Sequence, residues 1–167
     1  MDSTELKDLQ RPLKQRYRED AETAVVTLEA SGAIDDQNVT CSVATGRSIV
    51  EAGLHPASGG DGSFACSGDM LLQALVACAG VTLQSVATNR GLELAGGTVR
   101  AEGDLDFRGT MGVDPDAPVG FRDIRLIFEL EGELSADEKA TLIETTERYC
   151  VVLQTLLAPP PVAVSIA

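Results

Sequence analysis

The feature that most constrains this chain is a set of apolar residues that runs almost all the way round a single helix. Met70, Leu71, Leu72, Ala74, Leu75, Val76, Ala77, Cys78, Val81, Leu83 and Val86 leave almost no polar face, so the helix that carries them is expected to be enclosed by protein. Ser67 can cap its start, and Asp69 suits the positive end of its dipole. Gly91, after Asn89 and Arg90, suits the C-terminal cap. The longest apolar stretch, Met70 to Val81, is interrupted by Gln73 and is far shorter than the roughly 20 residues of a membrane span. It predicts a core helix and no membrane.

The segments around this helix predict a mixed fold. Ser3 to about Ala24 has a helical composition, with Pro12 expected to kink or restart it. Val25–Ala30, Val39–Ala44 and Ile49–Leu54 predict three short strands separated by the turn signals Ser31-Gly32 and Thr45-Gly46. Alternation in the second puts Cys41 on the inward face. His55 to Ser63 is dominated by Gly and Pro and predicts a flexible loop.

Beyond the helix, Val99, Ala101, Leu105 and Phe107 alternate with charged residues. After a loop from Gly109 to Gly120, Arg122 to Glu131 alternates in the same way. The two strands can pair antiparallel, with Arg facing Asp or Glu on the wet side. Ser135 and Glu138 form a capping box. Ile143, Thr146, Cys150, Leu153 and Leu157 then trace the buried stripe of one helix. Pro159 to Pro161 ends it, and Val162, Val164 and Ile166 predict a last strand. The fold class is therefore α+β, with antiparallel sheet and helices on one side. Residues 1–24 form an N-terminal helical extension and 25–167 the main domain.

Charge narrows the function. Thirteen Lys and Arg stand against 26 Asp and Glu, a formal charge of -13, which repels phosphate backbones and anionic lipid, so nucleic acid is not an expected partner. Met1 to Lys7 has neither the basic nor the apolar region of a secretory signal, and a cytoplasmic location is expected. Four cysteines and one histidine suggest a metal, but no CxxC or HxxxH spacing is present. The Gly59-Gly60-Asp61-Gly62 loop lacks the Lys-Ser/Thr of a phosphate-binding loop, and His55 has no GxSxG elbow for a hydrolase. No metal or cofactor is expected. Cys78 and Cys150 each lie on the apolar face of a helix. If those faces meet, two thiols approach, which suits peroxide reduction through a sulfenic acid and a disulfide. Such chemistry needs a neighbour that lowers the first thiol's pKa. The plainer reading, two small buried hydrophobes, rests on the same spacing.

The stretch from His55-Pro-Ala-Ser-Gly-Gly-Asp-Gly through Cys66-Ser-Gly-Asp-Met-Leu-Leu-Gln-Ala-Leu-Val-Ala-Cys78-Ala-Gly-Val-Thr-Leu83 resembles the central motif of the OsmC/Ohr family. Arg148-Tyr149-Cys150-Val151-Val152 resembles the segment around that family's second cysteine. The likeness covers roughly residues 25–167. It implies an OsmC-like domain in an intertwined homodimer, with sites at the subunit interface. It also implies a thiol-dependent peroxidase that reduces organic hydroperoxides at the expense of a dithiol or lipoyl-type reductant. Carried over, Cys78 is the peroxidatic cysteine, Cys150 the resolving one, and Asp69 stands where many members have a Glu that anchors a catalytic Arg.

Helix geometry constrains that transfer. Nine residues separate Asp69 from Cys78, about 13 Å along a helix and on opposite faces, so a shared site calls for Asp69 of a neighbouring subunit or a bent helix start. No Arg lies between Arg47 and Cys78, which leaves Arg47 or His55 to stand in for the family's cation. The familiar Pro after the second cysteine is Val151 here, and Cys66 is an extra thiol at the mouth of the helix. The rival reading is a binding module with an apolar interfacial pocket and purely structural cysteines. A third reading, hydrolysis or acyl transfer through Cys78, needs His55 within reach as base.

Overall fold

The computed structural model describes residues 2–20, 32–34, 40–44 and 49–166. The strand expected at Val25–Ala30 and the candidate Arg47 lie outside them, as does the side chain of Cys41. The elements in order are α1 (Ser3–Glu19), β1 (Gly32–Ile34), β2 (Thr40–Ala44), β3 (Ile49–Gly53), β4 (Ala65–Cys66), α2 (Ser67–Arg90), β5 (Gly96–Leu105), α3 (Phe107–Thr110), β6 (Phe121–Glu131), α4 (Ala136–Tyr149) and α5 (Val151–Leu157), with a 3-10 turn at Pro56–Ser58 between β3 and β4. They gather into two compact units. One comprises residues 1–18, 74–100 and 126–167, and the other 19–73 and 101–125.

The second unit holds a four-stranded sheet in the order β1-β2-β3-β4. β1, β2 and β3 pair antiparallel. β4 joins β3 in parallel, with Ala52 opposite Ala65, so this sheet is mixed where an antiparallel one is expected. β1 also falls on Gly32, where the sequence signals a turn. In this unit Arg125 of β6 reaches Asp104 at 2.7 and 3.0 Å and Glu102 at 3.3 Å on β5. The expected Arg-to-carboxylate pairing across the hairpin is thus present. Being exposed, it fixes register more than it stabilises. The alternation that suggests a strand as far as Phe107 stops at Leu105. The Asp106 carboxylate accepts from the Arg108 amide and caps α3, and the Arg108 guanidinium and amide bound to it hold its pKa down to about 2.

The first unit is built round the C-terminal part of α2. Leu75, Ala79, Leu83 and Ala87, spaced four apart, are its buried residues. Leu83 and Ala87 pack with Leu142 of α4, and Phe128 and Leu130 of β6 close over them. This stripe is the fully buried one, whereas Val81 is 73% exposed. The expected enclosure of α2 on all sides is not met among the described residues. At 24 residues α2 is long and apolar enough to cross a membrane by length and composition, although its buried stripe packs on protein here. Gly91 takes the left-handed conformation at φ 69°, and the Leu92 amide closes back on the Ala87 carbonyl at 3.0 Å, as the sequence predicts for a helix end.

The Ser135/Glu138 capping box is complete, with the Glu138 amide donating to the Ser135 hydroxyl and the Glu138 carboxylate accepting from the Ser135 amide. α4 then buries Leu142 and Thr146, whose hydroxyl donates to the Leu142 carbonyl at 2.8 Å. The single helix expected through Leu157 is in fact two. Cys150 has extended backbone (φ -73°, ψ 106°), ending α4 and starting α5. No strand forms after the prolines: residues 159–166 are irregular, and Val162, Val164 and Ile166 are exposed, the last completely. A strand needs a partner for its backbone groups, and these residues find none in the described chain.

Candidate functional site

Each unit gathers part of the chemistry. In the first unit Cys78 projects from the fourth turn of α2, half-buried, while Cys150 is fully buried at the α4/α5 joint. Both are free thiols. The joint explains what surrounds them. Because Cys150 leaves the helical conformation, the first amide of α5 to bond back within it is that of Gln154, to the Cys150 carbonyl at 2.9 Å. The amides of Val151, Val152 and Leu153 are the orphan donors of a helix start, and no side chain caps them. They lie close enough to the two sulfurs to favour their ionised forms.

Burial pushes the Cys78 thiol up, but the Val152 amide, the Cys150 thiol, the Val151 amide and the Thr82 hydroxyl together outweigh it and hold the pKa below the ordinary 9.0. At Cys150 burial prevails, and with the adjoining Cys78 sulfur it raises the pKa, although the Leu153 and Val152 amides oppose it. The pair is therefore polarised, with the Cys78 thiol ionising more readily than an ordinary thiol and the Cys150 thiol less readily. The donors named at Cys78 are all uncharged. Among the described residues of one chain, the groups that lower the Cys78 pKa are backbone amides and two side-chain donors. Periodicity could not reveal those amides, whereas Thr82, one turn after Cys78, was visible as a helical neighbour.

This asymmetry has a measurable consequence. Because the folded pKa of Cys78 is lowered, its thiolate persists as pH falls below the ordinary thiol value; that of Cys150 appears only above it. Iodoacetamide labelling of the Cys78 peptide, followed by mass spectrometry across pH, is expected to show a midpoint below 9.0, with Cys150 titrating later. Val151→Pro removes one donor at the first position of α5, where Pro is tolerated, after a residue already extended as a pre-proline residue should be. The Cys78 midpoint then moves up, and an unmoved midpoint would mean that the amide contributes nothing.

In the second unit His55, Cys66 and Asp69 line one cavity of about 360 Å3. The flexible loop expected at His55 to Ser63 contains an ordered turn. His55 caps it, its Nδ1 accepting from the Ala57 amide at 3.0 Å, and its ring stacks on Phe107 with centroids 5.0 Å apart. Asp69 sits in the first turn of α2 as expected. The structure thus brings Cys78 to Cys150 in one unit and His55 to Asp69 and Cys66 in the other. No group of three or more His, Cys, Asp or Glu able to hold a metal occurs among the described residues.

A family profile described as OsmC-like protein matches residues 60–165, a span that contains Cys66, Asp69, Cys78 and Cys150. No curated protein sequence matches the chain. Among solved structures the chain is similar to an OsmC-like protein from Mycoplasma pneumoniae, with TM-score 0.67 and 16% identity over 80% of this chain and 89% of that one. It is similar also to an organic hydroperoxide resistance protein OsmC from Legionella pneumophila, with TM-score 0.63 and 17% identity over 80% and 91%. An organic hydroperoxide resistance protein from Elizabethkingia anophelis gives TM-score 0.65 and 16% identity over 81% and 91%. At such identities the likeness is one of fold.

Proposed function

The chain belongs to the OsmC-like protein family, and from that premise we propose that it is a thiol-dependent peroxidase for organic hydroperoxides, with Cys78 peroxidatic and Cys150 resolving. The observation that carries this reading is the polarised thiol pair: the half-buried member has its pKa lowered and the fully buried one has its pKa raised. A plain structural role for two buried cysteines gives no reason for that asymmetry. The similar Legionella and Elizabethkingia structures, organic hydroperoxide resistance proteins, support the substrate class.

In the reaction the Cys78 thiolate attacks the terminal oxygen of ROOH. The O–O bond breaks, RO⁻ leaves and takes a proton to become the alcohol, and Cys78 is left as sulfenic acid. The Cys150 sulfur, losing its proton, attacks that sulfur; hydroxide leaves and is protonated to water, and the Cys78–Cys150 disulfide remains. An external dithiol, of lipoyl type in this reading, reopens it by two exchange steps and is itself oxidised to a disulfide. The reading includes a homodimer, supported by the exposed apolar side chains of Val81, Val151, Leu157, Val162, Val164 and Ile166. Asp69, His55 and Arg47 enter it as groups that a second copy would bring to the thiols. It also includes a cytoplasmic location, where free thiols persist. The test is consumption of cumene hydroperoxide in the presence of a dithiol. A wild-type rate no greater than that of Cys78→Ser would end the proposal.

A further inference from the structure

The α4/α5 joint holds one further side chain in a place that a continuous helix would fill with backbone. The last backbone rung of α4 is the Cys150 amide on the Thr146 carbonyl, at 2.9 Å. In an unbroken helix the next rung would be the Val151 amide on the Glu147 carbonyl. In this chain the Gln154 side chain occupies that carbonyl, its Nε2 donating at 2.9 Å. A carbonyl only accepts, so the atom that meets it must be the nitrogen of the Gln154 amide. The Gln154 backbone amide donates in turn to the Cys150 carbonyl, also at 2.9 Å. One residue of α5 thus holds the chain on both sides of the break at Cys150.

This exchange of donors has a chemical consequence. A bare carbonyl at the end of α4 would compete for the Val151 N–H, because backbone groups at a helix end seek partners. If it captured that N–H, α4 would run on through the joint. With Glu147 already served, the Val151 amide is left to act on the Cys78 sulfur, together with the Val152 amide. Gln154 itself is exposed and is not among the groups that act on Cys78 directly, so its influence passes through the backbone.

We propose that Gln154 is a positioning residue for Cys78: by taking the Glu147 carbonyl in place of the Val151 amide, its side chain keeps that amide free for the thiol site. The inference rests on the peroxidase reading for its catalytic meaning, but its test involves no peroxide, so the two fail separately. The reduced full chain is labelled with iodoacetamide across pH, and the Cys78 peptide is followed by mass spectrometry. Gln154→Met keeps the length, helix propensity and charge of the side chain and removes its donor. The Cys78 midpoint is expected to move up, and labelling at pH 7 to slow by about two- to fivefold. That is the effect of one hydrogen bond, reduced by the greater nucleophilicity of a more basic thiolate. In a Val151→Pro background, where no N–H remains to be recaptured, Gln154→Met is expected to add nothing further. A side chain that merely tethered α5 would disturb the Val152 amide as well, and its loss would still be felt in that background. An unchanged midpoint in the single variant, or an undiminished shift in the double variant, would overturn the proposal.

Discussion

With Cys150 replaced by Ser, the protein is expected to reduce one equivalent of hydroperoxide and then nearly stop. The first step needs only the Cys78 thiolate, and most of what stabilises it survives the substitution: the amides of Val151 and Val152 and the Thr82 hydroxyl. The second step needs a thiol already beside the sulfenic acid. Without it an external dithiol must attack in a bimolecular encounter, and the lost proximity is expected to slow steady-state turnover by about a hundredfold or more. A stopped-flow trace should show a burst of one equivalent per Cys78. Dimedone should then label the Cys78 peptide of the variant and not that of the turning-over wild type. An undiminished steady-state rate, or an adduct elsewhere, would remove Cys150 from the resolving role.

The largest effect on stability is expected at Leu142, which is 0% exposed and packs with Leu83 and Ala87 of α2 beneath Phe128 and Leu130. Leu142→Ala removes buried methyl groups from a place where helix and hairpin cannot readily collapse, and such changes cost about 2–5 kcal/mol. Against a typical total of about 5–15 kcal/mol, that is a large fraction. Urea unfolding should show a lowered midpoint with little change in slope. Glu144→Ala, on the exposed side of the same helix, should stay within about 0.5 kcal/mol of wild type. Similar losses in the two variants would mean that this cluster is not the core.

Signals that are local in the sequence were legible: both ends of α2, the Ser135/Glu138 box, the charged face of the β5–β6 hairpin. Each depends on residues within a few positions or on simple alternation. The break at Cys150 was not. The apolar steps of three and four run on through Leu153 and Leu157, and neither Gly nor Pro marks the joint, so periodicity describes one helix where there are two. Phe107 continued an alternation that the Asp106 cap cuts off. Val162, Val164 and Ile166 have the pattern of a strand, but pattern supplies no partner. For α2 the apolar circumference was read correctly, whereas its covering was not, since hydropathy cannot say whether the same chain provides it. At the candidate site the pairing of Cys78 with Cys150 was legible from their helix faces. The donors that polarise it were not, because backbone amides become available only where a helix has been interrupted.

Under the peroxidase reading, that interruption would let the backbone respond to the oxidation state of sulfur. In the reduced protein the amides of Val151 and Val152 act on the Cys78 sulfur and favour its thiolate form. A disulfide carries no such charge and accepts weakly, so closing it deprives those N–H groups of their partner and leaves them to seek water or a carbonyl. Cys150 already lies outside the helical ladder, so a turn about its own dihedrals can swing α5 without melting either helix. Under the peroxidase reading, closing the Cys78–Cys150 disulfide would therefore act on α5 through a pivot of one residue.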